Sequence, residues 1–409
     1  MRVLWLAHRD PENPRAGGAE RTIHEVGRRL VSRGHEVVLV TAGWRGSRPR
    51  TVQDGIEVRR YLRNLGVHLA LPPALMREEF DAAICDLGHA VPWPSAPLLM
   101  RGRCAVFFRH LHARTLWGQV NPVLAAALST AERAYPMIYR NEAFVTESRS
   151  SRDDLIRLGV DPRRIVLAPP GVDHDLFRPG PKTPFPSIVY FGGMRRYKRP
   201  RDALLAFALV RREIPEARLY VVGEGPELPG LWELAEGLGI GGSVKFTGRL
   251  KYGELARLVS SAWLNIHTSA AEGWGYSITE AAAAGTPTVA YDVPGVSDAV
   301  EEGRNGIRVR DGDVRALAEA ALRILKNPDE WWRSSREVAA KYSWDRTARM
   351  WEGVLRRISE RASGRTREFD VAGAPATDVR RCRYWIKYEK CYICHSQRVS
   401  SIERDLLRE

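Results

Sequence analysis

Apolar runs and helical patterns alternate along most of this chain. The first example is a short apolar run, Val3–Ala7, followed by a polar loop, by apolar residues at helical spacing in Glu20–Ser32, and by a second apolar run, His35–Thr41. Strand, loop, helix and strand in this order predict a βαβ unit. Further strands are predicted at Ala82–Cys85, Ala105–Phe108 and Ala143–Thr146. We therefore expect an open parallel sheet in this half.

The pattern restarts after a proline-rich stretch. Pro169–Asp173 and Arg178–Pro186 are too rich in proline for a continuous helix or a central strand, which indicates an interdomain linker. Beyond it, strands are predicted at Ser187–Phe191, Arg218–Val222, Val244–Phe246, Trp263–His267 and Thr288–Tyr291, and helices at Pro200–Glu213, Glu227–Leu238, Tyr252–Val259 and Ser277–Ala284. The fold class is α/β, with two tandem Rossmann-like, doubly wound domains. Ligands bind such sheets at the carboxyl ends of the strands, and a cleft between the two domains is the expected active site.

Four segments follow from this reading. We expect a first domain over residues 1–180, a second domain over 187–343, a helix over 344–362 that packs back on the first domain, and a tail over 363–409 of uncertain structure. In the tail, Cys391, Cys394 and His395 match a haem c attachment pattern, and with Cys382 they would supply four zinc ligands. A single short motif favours an incidental tail over either site.

Length and composition indicate a globular protein of two domains. The chain has 409 residues, of which 44% are hydrophobic and 27% charged. No uncharged apolar run is long enough for a transmembrane helix, and the short apolar start fits a first strand better than a signal peptide. Five irregularly spaced cysteines do not make a disulfide framework, so we expect a cytoplasmic location.

The formal net charge of +14 favours anionic partners. No zinc-finger or RNA-recognition pattern is present, so nucleic acid is not an expected partner. Apolar and aromatic residues in the first half, namely Leu71-Pro-Pro, Trp93 and Trp117 to Ala127, lie near many arginines. Most of these side chains are expected to pack in the core, and peripheral contact of this surface with an anionic membrane stays open.

The densest chemical signal is the segment Ser269-Ala-Ala-Glu-Gly-Trp-Gly-Tyr-Ser-Ile-Thr-Glu280 and the alanine-rich helix after it. Gly273 and Gly275 precede the helix, where backbone amides and the helix dipole bind a diphosphate. Glu280 lies about one turn into the helix, within reach of ribose hydroxyls. Glu272, on the loop, would bind sugar hydroxyls or stabilise positive charge at an anomeric carbon. The same segment adds Trp274, Tyr276 and Ser277 to the predicted donor site.

Two Glu separated by seven residues and followed by an alanine-rich helix and Gly-Thr-Pro resemble the family-4 glycosyltransferases of GT-B fold, the glycosyl transferases group 1. Five further segments resemble that family in the same order: Gly17 to Arg21, Val166 to Asp173, Val222 to Pro226, Phe246 to Arg249 and Val289 to Asp298. The resemblance covers roughly residues 1–360. It implies retaining, metal-independent transfer of a hexose from a UDP- or GDP-sugar to a hydroxyl of a glycan, a lipid-linked acceptor or a small molecule, with no cofactor.

The resemblance also assigns residues after the first strand of the second domain. In the family an Arg and a Lys at this place bind the donor diphosphate. Lys198 matches the lysine, but the arginine position is Gly193, so Arg195 or Arg196 would have to supply the guanidinium. If neither does, the diphosphate is bound more weakly than in the family. Residues at neighbouring strand ends are expected near the nucleotide base: Gly223, Glu224 and Arg249.

In the first domain, the resemblance points to a histidine near the transferring sugar. His110 follows a predicted strand and is favoured over His112, which joins Gly17 and Gly18 as a candidate for contact with the acceptor or a phosphate. Asp86 is expected to be a loop carboxylate rather than a catalytic base. The predicted catalytic residues are therefore Glu272, His110 and Lys198.

The cleft motifs contain no Asp-x-Asp sequence, which agrees with a reaction that needs no metal. Lys198, an arginine and helix amides would neutralise the leaving diphosphate, and no side chain stands out as a nucleophile, which favours a front-face displacement. Three alternatives stay open: a GT-B sugar-nucleotide epimerase or inverting transferase, a catalytically silent sugar-nucleotide-binding protein, and a nucleic-acid binder supported by net charge alone.

Overall fold

A computed structural model describes residues 1–63, 66–69, 79–88, 91–100, 102–116 and 120–363. Within this part the chain forms two compact α/β units. One contains Met1–Gly171 together with the segment that begins at Trp344, and the other contains Val172–Ser343.

The first unit contains an eight-stranded sheet in the order β3-β4-β2-β1-β5-β6-β7-β8. The strands are β1 (Arg2–Leu6), β2 (Glu36–Gly43), β3 (Arg50–Gln53), β4 (Ile56–Arg63), β5 (Ala82–Asp86), β6 (Cys104–Phe108), β7 (Ala143–Thr146) and β8 (Ile165–Leu167). The helices in the described part of this unit are α1 (Gly18–Ser32), α2 (Ser95–Met100), α3 (Ala113–Leu116), α4 (Pro122–Arg133), α5 (Tyr135–Ile138), α6 (Arg149–Arg157) and, at its end, α14 (Trp344–Ala362). All five residues of β5 and of β6 are buried, as expected for parallel strands covered on both faces.

The sheet is not parallel throughout, which corrects the expectation from the sequence. β3 and β4 form an antiparallel hairpin at one edge. The turn consists of Asp54 and Gly55, with φ of 46° and 81°. Asp-Gly is a strong signal for a two-residue hairpin, since such turns need positive φ at both positions, so the sequence did contain this information.

Helix α14 belongs to the first unit. Its buried residues recur at helical spacing and include Thr347, Trp351 and Leu355. The Trp351 ring lies 5.7 Å from that of Trp5 on β1 and 4.8 Å from that of Phe107 on β6. The end of the chain's described part therefore completes the core beneath the first sheet.

The second unit contains a six-stranded parallel sheet in the order β11-β10-β9-β12-β13-β14. The strands are β9 (Ser187–Phe191), β10 (Arg218–Val222), β11 (Val244–Gly248), β12 (Leu264–His267), β13 (Thr288–Tyr291) and β14 (Gly306–Val309). The helices are α7 (Pro200–Glu213), α8 (Leu228–Gly237), α9 (Tyr252–Ser261), α10 (Tyr276–Ala283), α11 (Val296–Ala299), α12 (Val314–Lys326) and α13 (Pro328–Ala339). Strand β14 was not predicted. The strand order reverses between β9 and β12, so the loops after these two strands flank the switch point of the sheet.

The boundary between the units lies at Gly171 and Val172, not near residue 180. Val172 pairs with Ser343 in an isolated β-bridge, and Phe177 is fully buried in an apolar cluster of the second unit. The proline-rich linker was predicted over Pro169–Asp173 and Arg178–Pro186, and the boundary falls within the first of these two stretches. The residues between the two stretches belong to the second unit, where buried apolar neighbours surround Phe177.

Three expectations concern residues outside the described part of the chain. They are the cysteine motif of the tail, the Leu71-Pro-Pro segment and Trp117. The two described cysteines, Cys85 and Cys104, are buried free thiols. No described helix has the length and apolar character needed to span a membrane.

Candidate functional site

The loop after β9 supplies the basic side chains of the candidate site. It continues into a short 3₁₀ turn, Arg196–Lys198, just before α7. Gly223, after β10, has φ of 135°, and a Cβ there would lie 1.9 Å from the Gly192 carbonyl oxygen. Glycine is therefore required at 223, because the two loops pass each other in backbone contact. The Met194 amide also donates to the Glu224 carbonyl (2.9 Å), which fixes the backbone next to Arg195.

Lys198 and Glu272 form an ion pair across the switch point. Lys198 follows β9 and Glu272 follows β12, and their side chains are 20% and 14% exposed. Ser269 donates to Glu272 Oε1 at 2.7 Å, and His267 Nε2 lies 3.5 Å from the same oxygen. Two of the three predicted catalytic residues are thus in direct contact.

This arrangement keeps both charges in place. Burial alone would raise the pKa of Glu272, but the charge of Lys198 and contacts from His267 and Lys198 hold that pKa well below its ordinary value. Burial would likewise lower the pKa of Lys198, and the Glu272 carboxylate outweighs it and raises that pKa. At neutral pH the site therefore presents an ammonium and a carboxylate, the groups needed to bind a phosphate and sugar hydroxyls.

His267 links this pair to helix α10. Its Nδ1 lies 3.0 Å from the Ser277 hydroxyl, in the first turn of the helix. Gly275 precedes the helix with φ of 92°, a conformation that favours glycine. The predicted donor residues Glu272 and Ser277 are therefore connected through His267, which was not among the predicted site residues.

Glu280 is buried on α10, and its Oε1 accepts a hydrogen bond of 2.7 Å from the Tyr252 hydroxyl. Tyr252 begins α9, which follows β11. A ribose hydroxyl that binds to Glu280 would therefore approach a carboxylate whose orientation is already set by a tyrosine.

Gly193 has a backbone conformation that other residues could adopt. A Cβ there would lie no closer than 3.8 Å to its nearest neighbours, Cγ and Nε of Arg195. The side chain of Arg195 therefore lies in van der Waals contact with the position that a Cβ at 193 would occupy. Arg195 is also one of the charges acting on Lys198.

The other predicted donor residues differ in what they expose. The Trp274 ring is buried and packs edge-on against Tyr342 at 5.1 Å, so it can reach a ligand only through its backbone. Gly273 is buried and Tyr276 half-buried, whereas Arg196, Glu224 and Arg249 are exposed. The Gly223 amide donates to the Gly248 carbonyl (2.9 Å), so it is already engaged.

In the first unit, the predicted histidines follow β6. The His112 ring nitrogens lie 3.2 Å from Glu132 Oε1 and 3.2 Å from the Gly88 carbonyl oxygen, which fixes the ring. The His110 ring is half-buried and lies 4.6 Å from that of His112.

Gly17 and Gly18 begin helix α1. The Gly17 amide donates to the Glu20 side chain at 2.8 Å, and Gly18 is the first residue of the helix. The glutamate thus takes one of the amides that were expected to meet a phosphate.

Arg109 is a buried cation of this region that was not predicted as a site residue. It donates to Asp86 at 2.8 Å and to Glu147 at 3.1 Å, and all three side chains are at most 5% exposed. Asp86 ends β5, so it is an ion-pair partner inside the unit and not a loop carboxylate. The position of Arg109 directly after a buried strand was the available signal.

His267, Ser269 and Tyr252 were missed for a related reason. His267 and Ser269 lie at and just after the end of β12, and Tyr252 starts a helix. Ser269 opens the segment that contains Glu272 but was not selected from it. His267 and Tyr252 belong to no recognisable motif, and the fold brings them to Glu272 and Glu280. Among the described residues there is no group of three or more His, Cys, Asp or Glu arranged to hold a metal ion.

Two family models match this chain. Residues 173–343 match "Glycosyl transferases group 1" and residues 16–176 match "Glycosyltransferase Family 4". The boundary between the two matches agrees closely with the boundary between the structural units.

Curated relatives and solved structures share this similarity over most of the chain. A D-inositol 3-phosphate glycosyltransferase of Geodermatophilus obscurus is 30% identical over 377 residues, which cover 81% of this chain and 83% of the relative. A glycogen synthase of Mycobacterium tuberculosis is 25% identical, covering 84% and 91%. Sucrose-phosphate synthase of Thermosynechococcus elongatus superposes with a TM-score of 0.73 at 21% identity, covering 87% and 98%. Anabaena HepE in complex with UDP-glucose gives 0.67 at 19% identity, covering 89% and 100%.

Proposed function

Since this chain belongs to the group 1 glycosyltransferases of GT-B fold, we propose that it transfers a hexose from a UDP- or GDP-sugar to an acceptor hydroxyl with retention and without a metal. The observation that carries this proposal is the Lys198–Glu272 pair at the switch point, with His267 and Ser269 on the carboxylate. A UDP-sugar is the first choice, because HepE was solved in complex with UDP-glucose.

Charge neutralisation supports the metal-free reaction. As the bond from the anomeric carbon to the diphosphate breaks, negative charge builds up on the diphosphate oxygens. The Lys198 ammonium and the guanidinium of Arg195, which passes Gly193, would stabilise it. Glu272 would hold sugar hydroxyls and stabilise positive charge at the anomeric carbon.

Retention without a protein nucleophile requires attack from the face that the diphosphate leaves. The acceptor oxygen forms its bond to the anomeric carbon while the acceptor proton passes to a leaving diphosphate oxygen. Glu272 is a poor candidate for a covalent intermediate in this proposal, since Lys198 and Ser269 already engage its carboxylate. A glycosyl-enzyme trapped on any side chain would contradict this route.

The acceptor is proposed by class only. The relatives named D-inositol 3-phosphate glycosyltransferase and glycogen synthase suggest a phosphorylated polyol or an α-glucan as the first acceptors to test. A net charge of +14 fits an acceptor with a phosphate.

We further propose that the protein works in the cytoplasm, in peripheral contact with an anionic membrane. Helix α4 supports this, since Val123 is 78% and Leu124 49% exposed, and Met137 on α5 is 74% exposed. Arg133 and Arg140 are exposed in the same stretch. Apolar and basic side chains together are what an anionic lipid surface binds.

The test is release of nucleoside diphosphate from a panel of UDP- and GDP-sugars, with a phosphorylated inositol or an α-glucan as acceptor. We expect one donor to be used equally well with chelator and with added Mg²⁺, and the product to keep the donor's anomeric configuration, as measured by NMR coupling constants.

The Glu272→Gln variant should abolish turnover. Dependence on Mg²⁺ or an inverted product would contradict the proposal. Nucleotide binding without turnover for any acceptor would favour a silent sugar-nucleotide-binding protein.

A further inference from the structure

Arg199 has an unusual backbone conformation directly after Lys198. Its φ and ψ are 48° and 51°, and it shares positive φ with a single other non-glycine residue of the described chain, Asp54 in the hairpin turn. The left-handed region costs free energy for a residue with a Cβ, so it persists only where the surroundings enforce it. Pro200, which begins α7, also disfavours the right-handed helical conformation at 199.

The side chain of Arg199 provides that enforcement. It forms an ion pair with Asp311, which lies in the loop between β14 and α12, and the two side chains are 6% and 14% exposed. If the Arg199 guanidinium moved away from Asp311, both groups would keep an unpaired charge in a largely buried place, which is costly. The ion pair therefore fixes the point at which the 3₁₀ turn ends.

The backbone of the same turn is held to the loop that carries Glu272. The Thr268 hydroxyl lies 2.8 Å from both the Lys198 and the Arg199 carbonyl oxygens. The Ala270 amide donates to the Tyr197 carbonyl at 2.8 Å. Any shift at Arg199 is thus passed to both partners of the Lys198–Glu272 pair.

We propose that Arg199 is a positioning residue, whose buried ion pair with Asp311 holds the Arg196–Lys198 turn so that the Lys198 ammonium meets the Glu272 carboxylate. The expected effect of Arg199 on donor binding rests on the proposed function, whereas its effect on the contact between Lys198 and Glu272 does not. The variants that test it are Arg199→Gly, which adopts the left-handed conformation without strain, and Asp311→Asn.

Asp313→Ala is the matched control. Asp313 lies in the same loop and caps α12 by accepting from the Ala316 amide at 3.0 Å, without contact to the turn. Loss of the cap destabilises the second unit. Thermal unfolding of all variants then identifies effects that follow from stability alone.

The first measurement needs no ligand. Full-length protein is acetylated briefly with an N-hydroxysuccinimide ester at pH 8, and the rate at Lys198 is compared with those at the exposed Lys245 and Lys251 by mass spectrometry. In the wild type Lys198 should react much more slowly than both. If the pair is loosened so that the pKa of Lys198 falls by one unit, the reactive fraction rises about tenfold. We expect Lys198 to be acetylated faster in Arg199→Gly and in Asp311→Asn than in the wild type. The rate in Arg199→Lys should lie between those of the wild type and Arg199→Gly, and the rate in Asp313→Ala should equal that of the wild type.

The second measurement is titration with UDP and with GDP by calorimetry. We expect Arg199→Gly and Asp311→Asn to bind the preferred nucleotide roughly 10- to 100-fold more weakly, as for other residues that orient a ligand-binding group. Unchanged labelling of Lys198 in both variants, with the proteins folded, would overturn the positioning role. If the wild type binds neither nucleotide, the proposed donor class fails, while the labelling still decides the role of Arg199.

Discussion

Gly193 and Arg195 are the residues at which this chain departs most from what its family resemblance implies. A side chain at 193 would fit, with its nearest contacts at 3.8 Å, and those contacts are to Arg195. Arg195 also acts on Lys198 through its charge. We therefore favour Arg195 over Arg196 as the second cation for the diphosphate.

This choice predicts unequal effects of two alanine substitutions. Arg195→Ala should lower kcat/KM for the donor by about tenfold or more, the loss expected for a charge-assisted hydrogen bond to phosphate. Arg196→Ala should cost clearly less. Steady-state kinetics with the preferred donor measure both, and Lys245→Ala on β11 controls for loss of one surface cation.

A rescue variant makes the prediction sharper. In the Arg195→Ala background, Gly193→Arg should restore much of the lost activity, because the backbone at 193 accepts a side chain in the place that Arg195 now crosses. An Arg196→Ala variant with the larger defect, together with a failed rescue, would assign the role to Arg196.

At the scale of elements, the loops after β9 and β12 form the site because the sheet reverses its order between those strands. The sequence places Lys198 and Glu272 at 74 residues' separation, and parallel pairing of β9 with β12 brings them together. Side chains at neighbouring strand ends, such as His267, then join them without a motif of their own.

Glu142, a buried carboxyl group at the amino-terminal ends of β6 and β7, predicts that the free energy of unfolding depends on pH. Glu142 precedes β7, is 2% exposed, and accepts from the Cys104 amide at the start of β6 (3.3 Å). Burial raises its pKa to about 7, against smaller opposite effects of the Cys104 amide, Arg361 and Arg164. Between pH 4.5 and 7 the folded state keeps a proton that the unfolded chain has released. The free energy of unfolding therefore falls as pH rises through this range.

Glu142→Gln should remove that loss while keeping an acceptor for the Cys104 amide. We expect the variant to be more stable than the wild type above pH 7, by at most about 3 kcal/mol, with little advantage near pH 4.5. Urea unfolding of both proteins at several pH values measures the difference. Parallel stability curves for the two proteins would contradict a raised pKa at Glu142. Asp161→Asn, at an exposed carboxyl whose pKa is lowered by Arg163, should shift stability in the opposite direction.

At the scale of the whole molecule, net charge and exposed apolar residues lead to a prediction about membranes. The protein should float with vesicles that contain phosphatidylglycerol and not with neutral vesicles, and salt should weaken the binding. Val123→Asp/Leu124→Asp should reduce binding strongly. Val52→Asp, on β3 where Val52 is 71% exposed, is the control and should not. Equal binding of both variants would exclude α4 as the contact surface.

The sequence by itself determined the α/β class, the family and most of the elements, because apolar periodicity and short glycine-containing motifs are local properties of the chain. It also selected Lys198, Glu272 and Glu280, which stand in such motifs. The tertiary structure decided what depends on strand order and burial. It brought His267, Ser269 and Tyr252 to those carboxylates, buried Arg109 between two acidic residues, and tied Arg199 to Asp311. Ser269 and His267 lie near Glu272 in the chain, but the other contacts join residues that are far apart in it, and their chemistry arises only when the fold sets their distances.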